Sequence, residues 1–263
     1  MKIISIFGSP RKKYSYEYTS LVKKIMDEER NSIEYEDIFL QKILQDNCNG
    51  CYQCMKKGEK FCKDYQKINP IIQSLDNADG LIISCPVYVD NVSGLMKNFI
   101  DHLAYLLHRP RFFGKKAIII VSTLETGIKS VSHYLSKTVS QWGFDVVGTI
   151  GIKVKGFEQN EIKRSKYMKK IKKLSLIFLQ SIIQNKKHSP KLENLIFFHL
   201  FKVLVNHTRD LSPEDYNYWE KKGWFEKNYF YKIYLNPITL TMAKFVAFLV
   251  KIRIAKNEKR KMK

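Results

Sequence analysis

Short apolar runs alternate with longer segments of helical periodicity along the first 185 residues. Five runs have the length and β-branched content of buried strands, namely residues 2–7, 31–40, 81–84, 115–121 and 145–152. Apolar residues recur every three or four positions between them, which predicts helices at residues 16–29, 64–77, 93–107, 128–142 and 156–184. Strands that alternate with helices favour a parallel sheet with right-handed crossovers. The pattern therefore predicts an α/β domain over residues 1–185.

Polar loops follow three of the predicted strands, at residues 9–15, 86–93 and 123–127. We expect the third strand to end at Pro86, because proline has no N–H to give to a ladder. The carboxyl ends of parallel strands meet at one sheet edge, where α/β proteins bind ligands. Arg11 and Lys12 lie just before a predicted helix N-terminus, where backbone N–H groups and the helix dipole favour an anion. These three loops are the candidate ligand site.

Two of the loops resemble known flavin-binding segments. CPVYVDNVSGLMKNFID at 85–101 is similar to the flavin-contacting loop and helix of the NADPH-dependent FMN reductase and iron–sulfur flavoprotein families, and GSPRK at 8–12 resembles their phosphate loop. The resemblance implies a flavodoxin-like five-stranded sheet in the order 2-1-3-4-5. The chain departs from the family pattern at three places. It has Cys85 where the family usually has Ser, Val89 where the family often has an aromatic residue, and a third loop with less glycine than the family's loop.

FMN is the cofactor that this resemblance implies. The FMN-binding residues carried over from it are Ser9, Arg11, Lys12 and Ser15 for the phosphate, Pro86, Val87 and Tyr88 for the flavin ring edge, Asn91 and Ser93 for polar contacts, and Thr123 and Gly127 for further ring contacts. No catalytic side chain is assigned, because hydride passes directly between a nicotinamide cofactor and the flavin in such enzymes. His102 and His108 are interpreted as residues of a helix surface.

Four of the five cysteines are clustered with the spacing C-x2-C-x2-C-x7-C, at Cys48, Cys51, Cys54 and Cys62. Four thiolates in this arrangement suit a [4Fe–4S] cluster, and the motif resembles that of the iron–sulfur flavoproteins. Structural or redox-labile thiols, and a zinc site, are the open alternatives. The clustering is unlike a secreted disulfide framework, and no signal peptide is visible, so we expect a cytoplasmic protein.

Residues 186–263 form a basic, aromatic-rich extension that is expected to be helical. Residues 1–150 hold 20 basic and 16 acidic residues, a net charge of +4, whereas residues 151–263 hold 26 and 9, a net charge of +17. No nucleic-acid-binding motif accompanies this charge, so no nucleic-acid partner is expected. Apolar segments at 192–205 and 235–254 are respectively too short and too interrupted, by Lys244 and Lys251, to be membrane spans.

The extension is expected to pack on the domain or on a second subunit, which would make a homo-oligomer. Peripheral contact with an anionic membrane is the alternative, because basic residues adjoin the second apolar segment. Packing on the domain could bring Tyr216, Trp219 or Trp224 to the open face of the flavin.

The sequence therefore predicts an FMN-dependent NAD(P)H oxidoreductase that passes electrons from a nicotinamide cofactor to a small-molecule or protein acceptor. One alternative is an iron–sulfur flavoprotein that transfers electrons through FMN and a [4Fe–4S] cluster. A second alternative is a non-enzymatic flavodoxin-like module that binds a partner or a membrane.

Overall fold

A computed structural model of the chain describes residues 1–44 and 46–261, with side chains described as far as residue 257. The chain forms two compact units. The first unit comprises Met1–Cys51 and Lys63–Lys186, and the second comprises Tyr52–Cys62 and Lys187–Lys263. The short segment Tyr52–Cys62 thus belongs with the C-terminal residues, a division that the expected domain boundaries did not include.

Six strands and twelve helices are present in the described residues. The strands are β1 (Lys2–Phe7), β2 (Glu34–Phe39), β3 (Gly80–Tyr88), β4 (Asn91–Val92), β5 (Lys116–Thr123) and β6 (Asp145–Lys153). The helices are α1 (Tyr14–Glu29), α2 (Leu40–Ile43), α3 (Gln53–Lys56), α4 (Tyr65–Asn77), α5 (Gly94–His102), α6 (Tyr105–His108), α7 (Ile128–Gln141), α8 (Val154–Glu158), α9 (Glu161–Gln184), α10 (Leu192–His207), α11 (Pro213–Lys221) and α12 (Pro237–Lys261). A short 3-10 helix spans Glu59–Phe61.

The sheet has the strand order β2-β1-β3-β5-β6, and all of these neighbours pair in parallel. Without the two-residue β4, this is the order 2-1-3-4-5 of flavodoxin-like folds. The predicted fold class is confirmed. Two of the predicted helices are each divided in two, since α5 and α6 replace 93–107, and α8 and α9 replace 156–184.

The prediction that β3 ends at Pro86 is wrong. Pro86 pairs with Ser122 of β5, and the strand continues to Tyr88. Its last two residues pair with β4 in the antiparallel direction. The pairing of β3 with β1 stops at Ser84, opposite Phe7. Pro86 therefore has a strand neighbour on one side only, and its missing N–H can face the side that has no partner.

Helices cover both faces of the sheet in the first unit. Isoleucines from the central strands, such as Ile3, Ile82 and Ile118, form one buried cluster with residues of α1 and α9. Alternate residues of a strand point to the opposite face, so Ile4 and Ile6 of β1 lie on the side where α4 contacts β1. The loops at the carboxyl ends of the strands are thus carried by a rigid three-layer core.

The second unit is built around an aromatic cluster. Ring centroids of Phe198 and Trp219 lie 5.5 Å apart, and those of Trp219 and Trp224 lie 5.2 Å apart. The Trp224 indole N–H donates to the carbonyl of Phe230 at 3.1 Å. Trp219 and Trp224 are buried in this core, so the expectation that they line the open face of a flavin is wrong. Their buried rings have no open surface on which an acceptor could stack.

Three helices and one short segment frame this cluster. Helix α10 packs against α12, and α11 contacts α3 of the segment Tyr52–Cys62. Helix α11 begins at Pro213, and Ser212 before it makes no capping bond through its side chain. In the part of the chain that the structure describes, no helix combines the length and the apolar character that a membrane crossing needs.

Candidate functional site

The three predicted ligand loops lie together at the carboxyl edge of the sheet. The register pairs Phe7 of β1 with Ser84 of β3, and Pro86 of β3 with Ser122 of β5, so the loops that follow are neighbours. The backbone N–H of Gly8 also donates to the carbonyl of Ser84 at 2.9 Å. The sheet therefore places residues 9–15, 86–93 and 123–127 side by side.

Ser93 joins the second loop to the first. Its hydroxyl oxygen accepts from the backbone N–H of Met96 at 3.2 Å, which caps α5, while the hydroxyl donates to the carbonyl of Gly8. A Cβ on Gly8 would lie 2.9 Å from Met96 Cβ and 3.1 Å from Ser93 Oγ, so only glycine fits this close approach. The buried Ser93 side chain thus holds the two loops in position.

A buried group of serine hydroxyls joins the first loop to the third. Ser84 Oγ donates to the carbonyl of Ser15 at 2.9 Å, and the hydroxyls of Ser15 and Ser122 lie 3.1 Å apart. Because the Ser15 side chain is buried in this group, any contact from Ser15 to an anion would use its backbone N–H at the start of α1. Sequence reasoning missed Ser84 and Ser122, although both are hydroxyl residues at the ends of apolar strands.

The first loop presents positive charge at a helix N-terminus. Arg11 and Lys12 are exposed, and the loop is closed by Ser9, whose hydroxyl donates to the carbonyl of Arg11 at 2.8 Å. Helix α1 begins at Tyr14 with no side-chain cap from Lys13. An uncapped helix N-terminus beside two cations is suited to bind a phosphate.

The second loop has an exposed apolar tip on a strained backbone. Val89 is fully exposed, and both Val89 and Asp90 have positive φ angles, of 50° and 56°. A left-handed conformation is unfavourable for a β-branched residue, and such strain is concentrated at functional sites. Tyr88 is 44% exposed beside Val89, whereas Pro86 and Val87 are half-buried. The loop therefore offers an open apolar and aromatic edge.

Asp90 and Gly127 join the second loop to the third. Thr126 Oγ1 donates to Asp90 Oδ1 at 2.7 Å, and Ser130 Oγ donates to the Asp90 carbonyl at 3.1 Å. Gly127 has a φ of 84°, and a Cβ there would lie 2.5 Å from Val87 Cγ1. Sequence reasoning identified Gly127. It missed Asp90, because the hydrogen-bond partners of Asp90 lie beyond its own loop.

Two other predicted residues are engaged within their own loops. Thr123 Oγ1 donates to the carbonyl of Thr126 at 2.7 Å and accepts from the backbone N–H of Glu125 at 3.3 Å. Asn91 Oδ1 accepts from the backbone N–H of Val92 at 2.8 Å. In this structure both side chains shape their loops.

Helix α5 connects the second loop to the start of the cysteine motif. The backbone N–H of Cys48 donates to Asn98 Oδ1 at 3.0 Å, and Asn98 Nδ2 donates to the carbonyl of Asp46 at 2.9 Å. One turn later, the buried His102 places Nε2 3.0 Å from Asp64 Oδ2. The interpretation of His102 as a helix-surface residue is therefore wrong. No pattern along the chain signals this pair.

Asp64 is electrostatically stabilised in this arrangement. Burial alone would raise the pKa of its carboxyl group, but hydrogen bonds from His102 and Lys67 outweigh burial, and the pKa lies below its ordinary value. Lys67 also lies 2.8 Å from Asp46, on the other side of the cysteine motif. Charged groups thus fix the chain on both sides of residues 48–62.

The four clustered cysteines are divided between the two units. Cys48 and Cys51 belong to the first unit, and Cys54 and Cys62 to the second, and none of the five cysteines is in a disulfide. Among the described residues, no group of three or more His, Cys, Asp or Glu side chains is arranged to hold a metal ion. The four thiols are chemically suited to a [4Fe–4S] cluster.

The fifth cysteine, Cys85, lies beneath the second loop. It is buried, with its sulfur 3.8 Å from Ser93 Oγ. Burial raises its pKa to about 11, so the thiol stays protonated at neutral pH. Cys85 fills the usual serine position of the loop as a packed, unreactive side chain.

Comparison with known proteins confirms the resemblance seen in the sequence. The family model described as NADPH-dependent FMN reductase matches residues 1–158. A protein named iron-sulfur flavoprotein from Clostridioides difficile is 32% identical over 85% of this chain and 99% of its own length. Another of that name from Archaeoglobus fulgidus is 28% identical over 85% of this chain and 100% of its own length.

Solved structures support the same fold. A flavone reductase aligns with a TM-score of 0.54 at 13% identity, over 70% of this chain and 63% of that protein. RosB, solved with bound 8-demethyl-8-formylriboflavin-5'-phosphate, aligns with a TM-score of 0.53 at 15% identity, over 73% of this chain and 84% of RosB. With the family match over residues 1–158 of 263, the chain belongs to the NADPH-dependent FMN reductase family of FMN-dependent oxidoreductases.

Proposed function

We propose that this protein is an NAD(P)H oxidoreductase that uses FMN to pass electrons from a nicotinamide cofactor to a small-molecule or protein acceptor. The observation that carries the proposal is the joining of three loops into one surface at the sheet edge. Hydrogen bonds from Ser93, Ser84 and Thr126 connect these loops, and Gly8 and Gly127 lie where a side chain would clash.

The residues present fit FMN at this surface. Arg11, Lys12 and the uncapped N-terminus of α1 would hold its phosphate through charge-assisted hydrogen bonds. Tyr88 and Val89 would lie along the flavin ring, where their exposed apolar surface would be covered. The serine network fixes the relative position of these two contact regions, so the chain orients the ring against the sheet edge.

When bound, FMN would supply the redox chemistry between the nicotinamide cofactor and the acceptor. The chain's own contribution is binding and orientation. The Cys85 thiol takes no part, because it is buried and stays protonated at neutral pH.

The test is an FMN titration followed by turnover. The purified protein is expected to quench the fluorescence of added FMN at a one-to-one ratio. The loaded protein is then expected to oxidise NADH or NADPH faster than free FMN does, with a quinone or ferricyanide as acceptor. A protein that binds FMN without accelerating nicotinamide oxidation would leave the flavin site in place and overturn the proposed donor.

A second candidate function is electron transfer through a [4Fe–4S] cluster as well as FMN. It is favoured by the four thiol donors and by relatives that are named iron-sulfur flavoproteins. Because the described residues do not assemble these donors into a site, the cluster stays a prediction and no electron-transfer step is built on it. Assembly into a homo-oligomer and a cytoplasmic location likewise stay predictions.

A further inference from the structure

Helix α12 buries small residues and exposes large ones. Its inner face packs against α10 through the buried Ala243 and Ala247. Its outer face carries six large apolar side chains with exposures of 37% to 72%, which are Ile238, Met242, Phe245, Phe248, Leu249 and Ile252. A helix of a soluble protein normally places its bulky apolar residues in the core. The opposite arrangement in α12 indicates that a protein or a membrane covers its outer face.

The exposed residues form one continuous stripe. Five of them are separated in turn by four, three, four and three positions, from Ile238 to Ile252, and Phe248 widens the stripe. At 1.5 Å per residue, the stripe is about 21 Å long and occupies one side of the helix. Apolar residues scattered singly need no explanation, but a stripe of this length does.

Basic residues border the stripe, and acidic residues are absent from it. Between Pro237 and Asn257 the sequence has four basic residues and no acidic one. At 3.6 residues per turn, Lys244 and Lys251 follow the edge formed by Phe248, and Arg253 follows the opposite edge. All three are exposed. Within residues 237–257, the charged residues that border the stripe are therefore all positive.

The positive charge beside the stripe distinguishes two partners that could cover it, a second copy of the chain and an anionic membrane. In a helix pair formed by residues 237–257 of two copies, Lys and Arg residues would face each other and these segments would supply no carboxylate to pair with, which disfavours association. The headgroup layer of an anionic membrane supplies the missing negative charge, and its acyl region accepts bulky apolar side chains. The pattern matches a helix that lies in the plane of such a surface.

We propose that the outer face of α12 binds the surface of an anionic lipid bilayer. The helix lies parallel to the membrane, with the stripe at the boundary of headgroups and acyl chains, and with Lys244, Lys251 and Arg253 among the headgroups. This assignment concerns the second unit alone and does not rest on the proposed oxidoreductase reaction.

The test is flotation of the full-length protein with phosphatidylcholine vesicles, with or without one third of phosphatidylglycerol. Binding is expected to be about tenfold or more stronger to the anionic vesicles and to weaken with added salt. Phe245→Ser/Phe248→Ser should lose this binding, whereas Leu211→Ser, which alters an exposed leucine outside α12, should keep it. Lys251→Gln/Arg253→Gln should weaken binding to anionic vesicles only, and Lys221→Gln/Lys232→Gln is the matched charge control.

Several outcomes would overturn the proposal. They are no flotation with anionic vesicles, equal binding to neutral and anionic vesicles, or unchanged binding by the stripe variant. A dimer in sedimentation velocity that the stripe variant loses, with no lipid binding, would assign the face to a second copy instead. Hydrogen exchange of the unaltered protein provides a test without substitution, since residues 237–257 should become protected only when anionic vesicles are added.

Discussion

Replacing Gly127 with alanine tests the packing of the second loop against the third. A Cβ at this position would lie 2.5 Å from Val87 Cγ1 and 2.9 Å from Asp90 Oδ1, on a backbone with a φ of 84°. A left-handed backbone costs an alanine about 1–2 kcal/mol, and overpacking typically costs about 1–3 kcal/mol more. Gly127→Ala should therefore lower the free energy of unfolding of the first unit by about 2–5 kcal/mol and weaken FMN binding.

Gly50 provides the matched control, because it has a φ of 65° and an added Cβ there would have nothing within 4 Å. Gly50→Ala carries the backbone cost of about 1–2 kcal/mol without the clash. The effect of a Gly→Ala change on the unfolded chain is common to both variants and cancels in their difference.

The measurements are urea unfolding followed by circular dichroism, and FMN titration by fluorescence quenching. The excess loss of stability in Gly127→Ala over Gly50→Ala isolates the contact with Val87 and Asp90. Equal losses in the two variants, with equal FMN affinities, would refute the conclusion that the two loops pack against each other at this position.

Three further predictions concern other parts of the chain. The double variant Arg11→Ala/Lys12→Ala should bind FMN more weakly, by about 1.5–3 kcal/mol for each charge-assisted hydrogen bond to the phosphate that is removed. The control is Lys24→Ala, at an exposed position further along α1, which should leave the FMN titration unchanged. Protein reconstituted anaerobically should contain iron and acid-labile sulfide, and the Cys51→Ala variant should contain less of both. Protein that contains neither would contradict the cluster, and protein that contains zinc alone would favour the zinc site. Burial lowers the pKa of His199 from 6.5 to about 4, so the unfolded chain takes up a proton first as the pH falls. The second unit should therefore lose stability between about pH 6.5 and pH 4, by up to roughly 3 kcal/mol, and denaturant unfolding of His199→Gln should show a smaller loss over this range.

Local patterns in the sequence predicted the parallel α/β sheet, whereas the strand order was predicted from the family resemblance. Each central strand is a short β-branched run, and each crossover contains a helix of clear periodicity, which leaves few topologies open. The end of β3 was mispredicted because the effect of Pro86 depends on its neighbours. A missing N–H matters only where another strand would accept it, and β1 has already ended at that level.

Contacts between residues far apart in the sequence limited how much of the candidate site could be predicted. The position of the three loops at one sheet edge was predictable, since each follows an apolar strand, but the bond between Ser15 and Ser122 joins residues 107 positions apart. His102 likewise meets Asp64 from 38 positions away. The membership of Tyr52–Cys62 in the second unit was not predictable either, because this polar segment contains a single buried apolar residue, Met55, and no periodic stripe.

Helix α5 holds both ends of the cysteine segment, which affects how the segment can vary. Asn98 binds the chain at Cys48, shortly before it leaves the first unit after Cys51, and His102 binds it at Asp64, just after it returns. With its ends held one helical turn apart, a change of length between them would cost the first unit little, since doubling a loop costs only about 0.6 kcal/mol in closure entropy. The same change would disturb the second unit, because α3 of this stretch contacts α11 and Met55 is buried. The length of the cysteine segment is therefore constrained by the second unit and not by the register of the sheet.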